Sequence, residues 1–299
     1  MSIEITKLRG MFEAGRLVLD GATGTELARR GVATPLPLWS AEAIKTAPLV
    51  LEAIHRDYVL SGADIVVANT FRTNVRSLRN AGRVEDGLTL NREAVELARR
   101  AAGADAGRTV LVAASVAPVE DCYHPERVPY QRELDHEHAR MMCWLRAANP
   151  DLVWIETMNT IREARSAARA ATECGLPLVV CFVTAESGDL LSGEPLEEAV
   201  AAVEPFEPLA IGLNCIPPEG ITANLPRLSA ATTRPLAVYA HLGNPEPIFG
   251  WSFSSDVSPA RYARHVADWF ARGATIIGGC CGTTPAHIGA IRDELARIH

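Results

Sequence analysis

The chain has 299 residues, of which 48% are hydrophobic and 22% are charged, and its formal net charge is −7. This composition is ordinary for a folded globular protein and excludes a disordered chain. Because the balance is acidic and no basic cluster is present, we expect small-molecule partners and no nucleic acid.

The N-terminal residues lack the unbroken apolar core of a signal peptide. No later apolar stretch approaches the roughly 18 residues that span a bilayer. We therefore expect a cytoplasmic protein that does not bind membranes. The seven cysteines are an odd number, and several lie inside apparent strands or helices. In a reducing compartment, any cysteine cluster then favours metal binding over a disulfide framework.

Short apolar, β-branched runs alternate with helical patterns along the whole chain. The runs are Leu17 to Gly21, Asp64 to Thr70, Thr109 to Val116, Leu152 to Thr157, Pro177 to Val183, Leu209 to Cys215, Pro235 to Leu242 and Ala274 to Cys281. Helices are predicted over 48–61, 91–102, 161–174 and 258–272, and Thr284 with Pro285 predicts the start of a last helix.

Near-continuous apolar strands that alternate with helices predict a parallel sheet covered on both faces. Eight such units predict a single (β/α)8 TIM barrel as one domain over residues 1–299. A doubly wound open sheet is the alternative. Two connections, 117–138 and 243–258, are long, which is typical of functional loops.

Polar residues stand at the ends of most of these runs. They are Asp20, Asn69, Thr70, Ser115, Glu156, Thr157, Asn214, Cys215, His241, Cys280 and Cys281. In barrel enzymes the C-terminal ends of the strands form the active-site mouth, so we expect these side chains to converge there.

Three of these residues are cysteines, with Cys215 after the sixth run and the adjacent Cys280 and Cys281 after the eighth. Three thiolates suit Zn²⁺, and three protein ligands leave a fourth position open, which is typical of catalytic zinc. Two other interpretations stay open at this point. Cys280 and Cys281 would form a vicinal disulfide, or the cysteines would only pack as small hydrophobes.

Several segments resemble the signatures of the homocysteine S-methyltransferase family. The segments are LDGATGTEL at 19–27, PLWS at 37–40, GADIVVANTF at 62–71, Glu156 with Thr157, GLNC at 212–215 and GGCCGTTPAHI at 278–288. Together they cover nearly the whole chain in order. The family includes S-methylmethionine-dependent and betaine-dependent enzymes and the homocysteine module of cobalamin-dependent methionine synthase.

The resemblance implies a (β/α)8 barrel in which Cys215, Cys280 and Cys281 hold Zn²⁺ and the sulfur of homocysteine takes the open position. It implies that Glu156 and Asp20 face the substrate ammonium group. The residues implied around the substrate carboxylate and in supporting hydrogen bonds are Gly21, Thr70, Ser115 and Asn214. For Asp20 a turn role is the alternative, because Asp-Gly is a common turn pair.

The methyl donors expected from the resemblance carry the methyl on a cationic sulfur or nitrogen, with S-methylmethionine or S-adenosylmethionine first and methionine as the product. Aromatic faces attract such cations, which makes Trp39 and Trp251, beside Phe249 and Phe253, candidates for the donor side; packing of the loop is the alternative. His241 stands where relatives usually have Asn and is a further candidate for the donor side. Three roles stay open for it: donation to the substrate carboxylate, approach to the zinc when substrate is absent, and a hydrogen bond to a loop.

Three other functions remain open. The first is a homocysteine methyltransferase that uses betaine or another donor. The second is a methyl shuttle that acts with a separate corrinoid protein. The third is a non-enzymatic regulator that binds zinc or homocysteine. The sequence predicts no oligomeric state, and it leaves open a related thiol or selenol as the acceptor.

Overall fold

The computed structural model describes residues 4–246, 250–252 and 257–298. The strands are β1 Leu17–Val18, β2 Ile65–Ala68, β3 Leu111–Val116, β4 Leu152–Met158, β5 Leu178–Phe182, β6 Ile211–Asn214, β7 Leu236–Ala240, β8 Asn244–Glu246, β9 Gly250–Ser252 and β10 Ala274–Gly279. The α-helices are α1 Ile5–Ala14, α2 Gly24–Arg29, α3 Ala43–Thr46, α4 Pro48–Leu60, α5 Val75–Asn80, α6 Gly87–Ala102, α7 Gln131–Ala148, α8 Ile161–Glu173, α9 Leu196–Val203, α10 Pro218–Ala231, α11 Pro259–Ala271 and α12 Pro285–Arg297. Short 3₁₀ helices cover Trp39–Glu42, Val84–Asp86, Pro125–Arg127 and Glu204–Phe206.

Eight of the strands form one parallel sheet in the order β1-β10-β7-β6-β5-β4-β3-β2. A parallel bridge between Leu19 and Ile65 joins the two edge strands. The main-chain N–H of Asp20 also donates to the carbonyl of Ile65 at 2.9 Å. The sheet therefore curls into a barrel with helices outside it, which confirms the predicted (β/α)8 fold. The open-sheet alternative is wrong.

Alternation of side chains along the strands produces two separate apolar cores. One core fills the barrel interior, with Leu111 and Ala113 of β3 and Leu152 and Trp154 of β4 among its members. Intervening residues of the same strands pack outward against the helices. Leu8 and Phe12 of α1 join the interior core beside residues that begin the strands, so α1 covers the N-terminal end of the barrel. The opposite, C-terminal end is thereby left as the mouth.

The same alternation places polar side chains in the next inward layer. Ser115 follows Leu111 and Ala113 along β3, and Glu156 follows Leu152 and Trp154 along β4. The two polar side chains meet at the mouth, since Ser115 Oγ donates to Glu156 Oε1 at 2.5 Å.

The two long connections differ from their predicted form. The last eight residues of 117–138 are helical, because α7 already begins at Gln131. Glu137 on this helix is only 3% exposed and pairs with Arg76 and Arg79. The 243–258 connection contains the antiparallel hairpin of β8 and β9. In the part of the chain that the structure describes, no helix is long and apolar enough to cross a membrane.

Candidate active site at the C-terminal mouth of the barrel

The three cysteines predicted as metal ligands converge at the mouth. Cys215 directly follows β6, and Cys280 and Cys281 directly follow β10. Their sulfur atoms all lie within 4.8 Å of one another. Cys215 and Cys280 are joined as a disulfide with Cα atoms 5.8 Å apart, while Cys281 is a free thiol. The disulfide in the structure is therefore not the vicinal one between Cys280 and Cys281.

The cluster fits a soft metal ion once the disulfide is reduced. Burial, and then the neighbouring Cys122 and Glu156, raise the pKa of the Cys281 thiol well above its ordinary value. A thiol in such surroundings becomes a thiolate only when a cation compensates the charge. Three sulfur donors within reach of one ion are the ligand set that zinc accepts.

Glu156 lies at the end of β4 with a hydrogen-bond donor on each carboxylate oxygen. Ser115 Oγ donates to Oε1 at 2.5 Å, and the hydroxyl of Tyr239 donates to Oε2 at 3.1 Å. Burial raises the pKa of Glu156 to about 7, and these two hydrogen bonds oppose that rise. Glu156 has no ion-pair partner among the described residues, and a buried carboxylate of this kind suits the binding of a cationic group.

Asp20 supplies a second carboxylate at the same mouth. It is 3% exposed, and its Oδ2 accepts the main-chain N–H of Val67 at 2.9 Å. Burial raises the pKa of Asp20 well above its ordinary value, the Val67 hydrogen bond lowers it, and the charge of Glu156 raises it further. Because the two carboxylates repel each other, a cation between them would relieve both.

The side-chain amide of Asn214 binds the end of β4. Its Oδ1 accepts the main-chain N–H of Thr157 at 2.9 Å, and its Nδ2 donates to Thr157 Oγ1 at 2.8 Å. Thr157 and Cys215 both have left-handed backbone conformations, with φ of 59° and 53°. Such conformations cost about 1–3 kcal/mol each outside glycine and need support from their surroundings. The amide therefore ties the residue after Glu156 to the end of β6, directly before Cys215.

Gly21 and Thr70, predicted beside the substrate carboxylate, lie at the ends of the first two strands. A Cβ atom at Gly21 would come within 2.8 Å of Thr283 Oγ1 and of the Tyr58 ring, so only glycine fits there. Thr70 is fully buried, and its hydroxyl donates to the carbonyl of Ser115 at 2.7 Å. The hydroxyl thus connects the β2 end to the β3 end.

The candidate donor-side residues are spread over several loops. Trp39 is half-buried and meets Phe71 edge to face, with ring centroids 6.0 Å apart. Burial lowers the pKa of His241 to about 4, and a hydrogen bond with the main chain of Cys215 opposes this, so the imidazole is neutral at pH 7. The backbone of Trp251 pairs with Pro245 in the hairpin. Phe249 and Phe253 lie outside the described residues.

Three residues contribute to this site without having been predicted. Tyr239 and Trp154 lie in apolar strands, where aromatic residues with a polar tip are a signal for a buried hydrogen bond. Tyr123, in the 117–130 connection, donates its hydroxyl to the carbonyl of Cys215 at 3.3 Å. This connection therefore reaches over the thiol cluster.

Comparison with known proteins agrees with this geometry. The family model described as homocysteine S-methyltransferase matches residues 17–295. Homocysteine S-methyltransferase 2 of Zea mays is 30% identical over 94% of this chain and 90% of its own length. Selenocysteine Se-methyltransferase of Brassica oleracea var. italica is 28% identical over 94% of this chain and 89% of its own length.

A solved structure is similar over almost its whole length. It is the metallated form of the homocysteine methyltransferase MmuM from Escherichia coli, with 29% identity, a TM-score of 0.84, and coverage of 96% of this chain and 99% of that one. The oxidized form of the same enzyme gives the same TM-score of 0.84. The resemblance seen in the sequence is confirmed: the chain belongs to the homocysteine S-methyltransferase family, a family of methyltransferases.

Proposed function

We propose that this enzyme transfers a methyl group from a small onium donor to the sulfur of L-homocysteine and so forms methionine. S-methylmethionine or S-adenosylmethionine is the donor we place first. The observation that carries the proposal is the meeting of three thiols, within 4.8 Å of one another, with the buried Glu156 and Asp20 at one barrel mouth. Sulfur ligands beside carboxylates match a substrate that has a thiol at one end and an ammonium group at the other.

The metal in this proposal is Zn²⁺, held by Cys215, Cys280 and Cys281. The name of one solved relative describes a metallated enzyme, which supports a metal but not its identity. Zinc bound there would supply Lewis acidity that lowers the pKa of the substrate thiol, so that the nucleophile exists at neutral pH. The Cys215–Cys280 disulfide has to be reduced before all three sulfurs are available.

The protein's own groups then bind and orient the acceptor. Glu156 and Asp20 accept hydrogen bonds from the substrate ammonium group, and the region of Gly21 and Thr70 receives its carboxylate. Ser115 and Asn214 act through hydrogen bonds to Glu156 and Thr157. Attack on the methyl breaks its bond to the onium atom and forms the new sulfur–carbon bond. The donor leaves as a neutral molecule, so no general acid is required.

The donor side of the proposal involves Trp39, His241 and Trp251. A neutral His241 adds no positive charge near an onium group, and aromatic faces attract such a cation. Betaine or a methyl-corrinoid partner protein is the alternative donor. A second acceptor, selenocysteine, is favoured by one observation, the similarity to a selenocysteine Se-methyltransferase.

The test is metal analysis of the reduced protein, followed by a panel of onium donors with L-homocysteine and detection of methionine by mass spectrometry. We expect stoichiometric zinc and methionine formation, and Cys215→Ala should lose both. Cys143→Ala, at an exposed cysteine on α7, is the matched control and should keep both. A Cys215→Ala protein that kept its metal and its activity would refute the mechanism. Homocysteine binding without turnover for any donor would indicate a regulator instead.

A further inference from the structure

A chain of hydrogen bonds crosses the barrel interior and ends on Glu156. The indole N–H of Trp154 donates to the hydroxyl of Tyr239 at 2.9 Å, and this hydroxyl lies 3.1 Å from Glu156 Oε2. Trp154 is fully buried and Tyr239 is 3% exposed. Trp154 belongs to β4 and Tyr239 to β7, and the sheet order places β5 and β6 between these strands. The chain therefore connects two walls of the barrel beneath the mouth.

The chemistry of the groups fixes the direction of this chain. An indole N–H can only donate, so the oxygen of Tyr239 must accept the hydrogen bond from Trp154. The single hydroxyl proton of Tyr239 is then directed to Glu156 Oε2. Since Ser115 donates to Oε1 at 2.5 Å, each carboxylate oxygen receives one proton donor. The remaining lone pairs stay available for a cation at the mouth.

The aromatic rings hold this arrangement rigidly. The rings of Trp154 and Tyr239 meet edge to face, with centroids 6.1 Å apart and an angle of 67° between their planes. Cys181 on β5 belongs to the same interior core as this pair. A buried pair packed in this way has little freedom to rotate, so the hydroxyl proton has one well-defined direction.

We propose that Trp154 and Tyr239 are positioning residues that fix the direction of the Glu156 carboxylate and thereby make the site selective for acceptor thiols that carry an α-ammonium group. The inference rests on the proposed function, in which Glu156 binds the substrate ammonium group. Without the Tyr239 proton, only Ser115 orients the carboxylate. The carboxylate then loses the direction that an ammonium group requires, while the binding of the substrate sulfur is unchanged.

The experiment compares L-homocysteine with 4-mercaptobutyrate, which lacks only the amino group. Binding of each to the reduced, zinc-loaded protein is measured by calorimetry, and turnover by methyl transfer to each. In Tyr239→Phe, we expect homocysteine to bind about tenfold to a hundredfold more weakly and 4-mercaptobutyrate to change less than about twofold. For homocysteine the change should appear in KM rather than in kcat, since the lost interaction orients the bound acceptor. Trp154→Phe should shift the selectivity in the same direction by a smaller factor.

Trp269→Phe is the matched control for loss of a buried indole. Trp269 is also fully buried, and its N–H donates to Thr222 Oγ1 at 2.9 Å on the outer side of the barrel. This variant should lose thermal stability without a change in selectivity. In the background of Glu156→Gln, the added Tyr239→Phe change should leave the selectivity ratio unaltered, because both changes remove the same interaction.

Two outcomes would overturn the proposal. One is that Tyr239→Phe weakens both ligands by the same factor, which would indicate a purely structural role. The other is that adding Tyr239→Phe to Glu156→Gln lowers the selectivity further, by the same factor as in the wild-type background. Because calorimetry needs no turnover, a wild-type protein that binds homocysteine selectively but forms no methionine would refute the proposed methyl transfer alone. A wild-type protein that binds both ligands equally would refute the positioning role.

Discussion

At the scale of one residue, the burial of Glu156 suits the binding of a cationic group but lowers the stability of the folded protein. Its side chain is 9% exposed, it has no cationic partner among the described residues, and burial raises its pKa to about 7. A buried carboxylate destabilises the folded protein once it ionises, and the hydrogen bonds from Ser115 and Tyr239 offset only part of that effect. A substrate ammonium group would supply the missing positive charge.

Glu156→Gln should therefore stabilise the protein in a pH-dependent way. The pKa of Glu156 rises from 4.5 to about 7 on folding, so the folded state binds this proton more tightly than the unfolded state. The stability that this proton contributes is complete below pH 4.5 and is lost as the pH rises through about 7. The variant cannot ionise, so above that range we expect it to be about 3 kcal/mol more stable than the wild type.

The measurement is the difference in free energy of unfolding in urea between wild type and variant, at about pH 5 and about pH 8, on reduced, metal-free protein. The same variant should lose most of its affinity for homocysteine. Glu186→Gln, at an exposed position, controls for the removal of one negative charge. An equal stability difference at both pH values would contradict the assignment of a buried, titrating carboxylate.

At the scale of elements, the hydrogen bonds of Asn214 join the end of β6 to the end of β4. Asn214→Ala removes two buried hydrogen bonds and leaves the N–H of Thr157 without its acceptor. We expect a loss of stability of about 2–4 kcal/mol. We also expect about tenfold to a hundredfold weaker zinc binding, as is typical when a group that supports a metal ligand is removed. Unfolding in urea and competition with a zinc chelator measure the two effects.

Asn224→Ala provides the comparison. This buried amide donates to Thr184 Oγ1 at 3.3 Å from helix α10, away from the thiols. It should reduce stability but leave zinc affinity unchanged. If both variants reduced zinc affinity to the same extent, the Asn214 effect would be a general loss of stability.

The eight barrel strands were predictable because short apolar, β-branched runs, here of five to eight residues between turn or helix signals, are typical of buried strands. The strand ends were predictable to within three residues, since polar residues such as Asp20, Asn214 and the cysteines follow these runs closely. The hairpin of β8 and β9 was not, because its sequence has neither an apolar alternation nor an Asn-Gly turn. Strand β1 has only two residues, and beyond them its pairing continues as an isolated bridge between Leu19 and Ile65.

The sequence was enough to predict which polar residues lie at the site, but not which side chains hydrogen-bond to one another there. Which strands face each other across a barrel depends on sheet order and stagger, and these follow from the closed structure rather than from any local pattern. Trp154 and Tyr239 are 85 residues apart in sequence, and each looks like an ordinary core residue in its own strand. Their hydrogen bond, and the direction of Glu156 that depends on it, needed the three-dimensional structure.

For the whole molecule, zinc should stabilise the fold as well as supply chemistry. The three cysteines proposed as its ligands follow β6 and β10, so an ion held by both strand ends would bind the folded state alone. At a free zinc concentration of about one hundred times Kd, the gain is about 2.7 kcal/mol, or about 4–8 °C in Tm. Thermal unfolding of reduced protein with zinc and with a chelator measures this difference. Cys215→Ala should have the same Tm with zinc and with the chelator. A wild-type Tm that is also the same with zinc and with the chelator would contradict the proposed zinc site.

The position of β10 between β1 and β7 has a consequence for how the enzyme is made. On the ribosome, β1 through β7 are synthesised before the strand that must be inserted between the first and the seventh. Cys280 and Cys281 arrive with this strand, 65 residues or more after Cys215. Until then the emerging chain has one thiol of the cluster and an open gap in its sheet. Loading of the proposed metal would therefore follow the synthesis of β10, at the same step that completes the barrel wall.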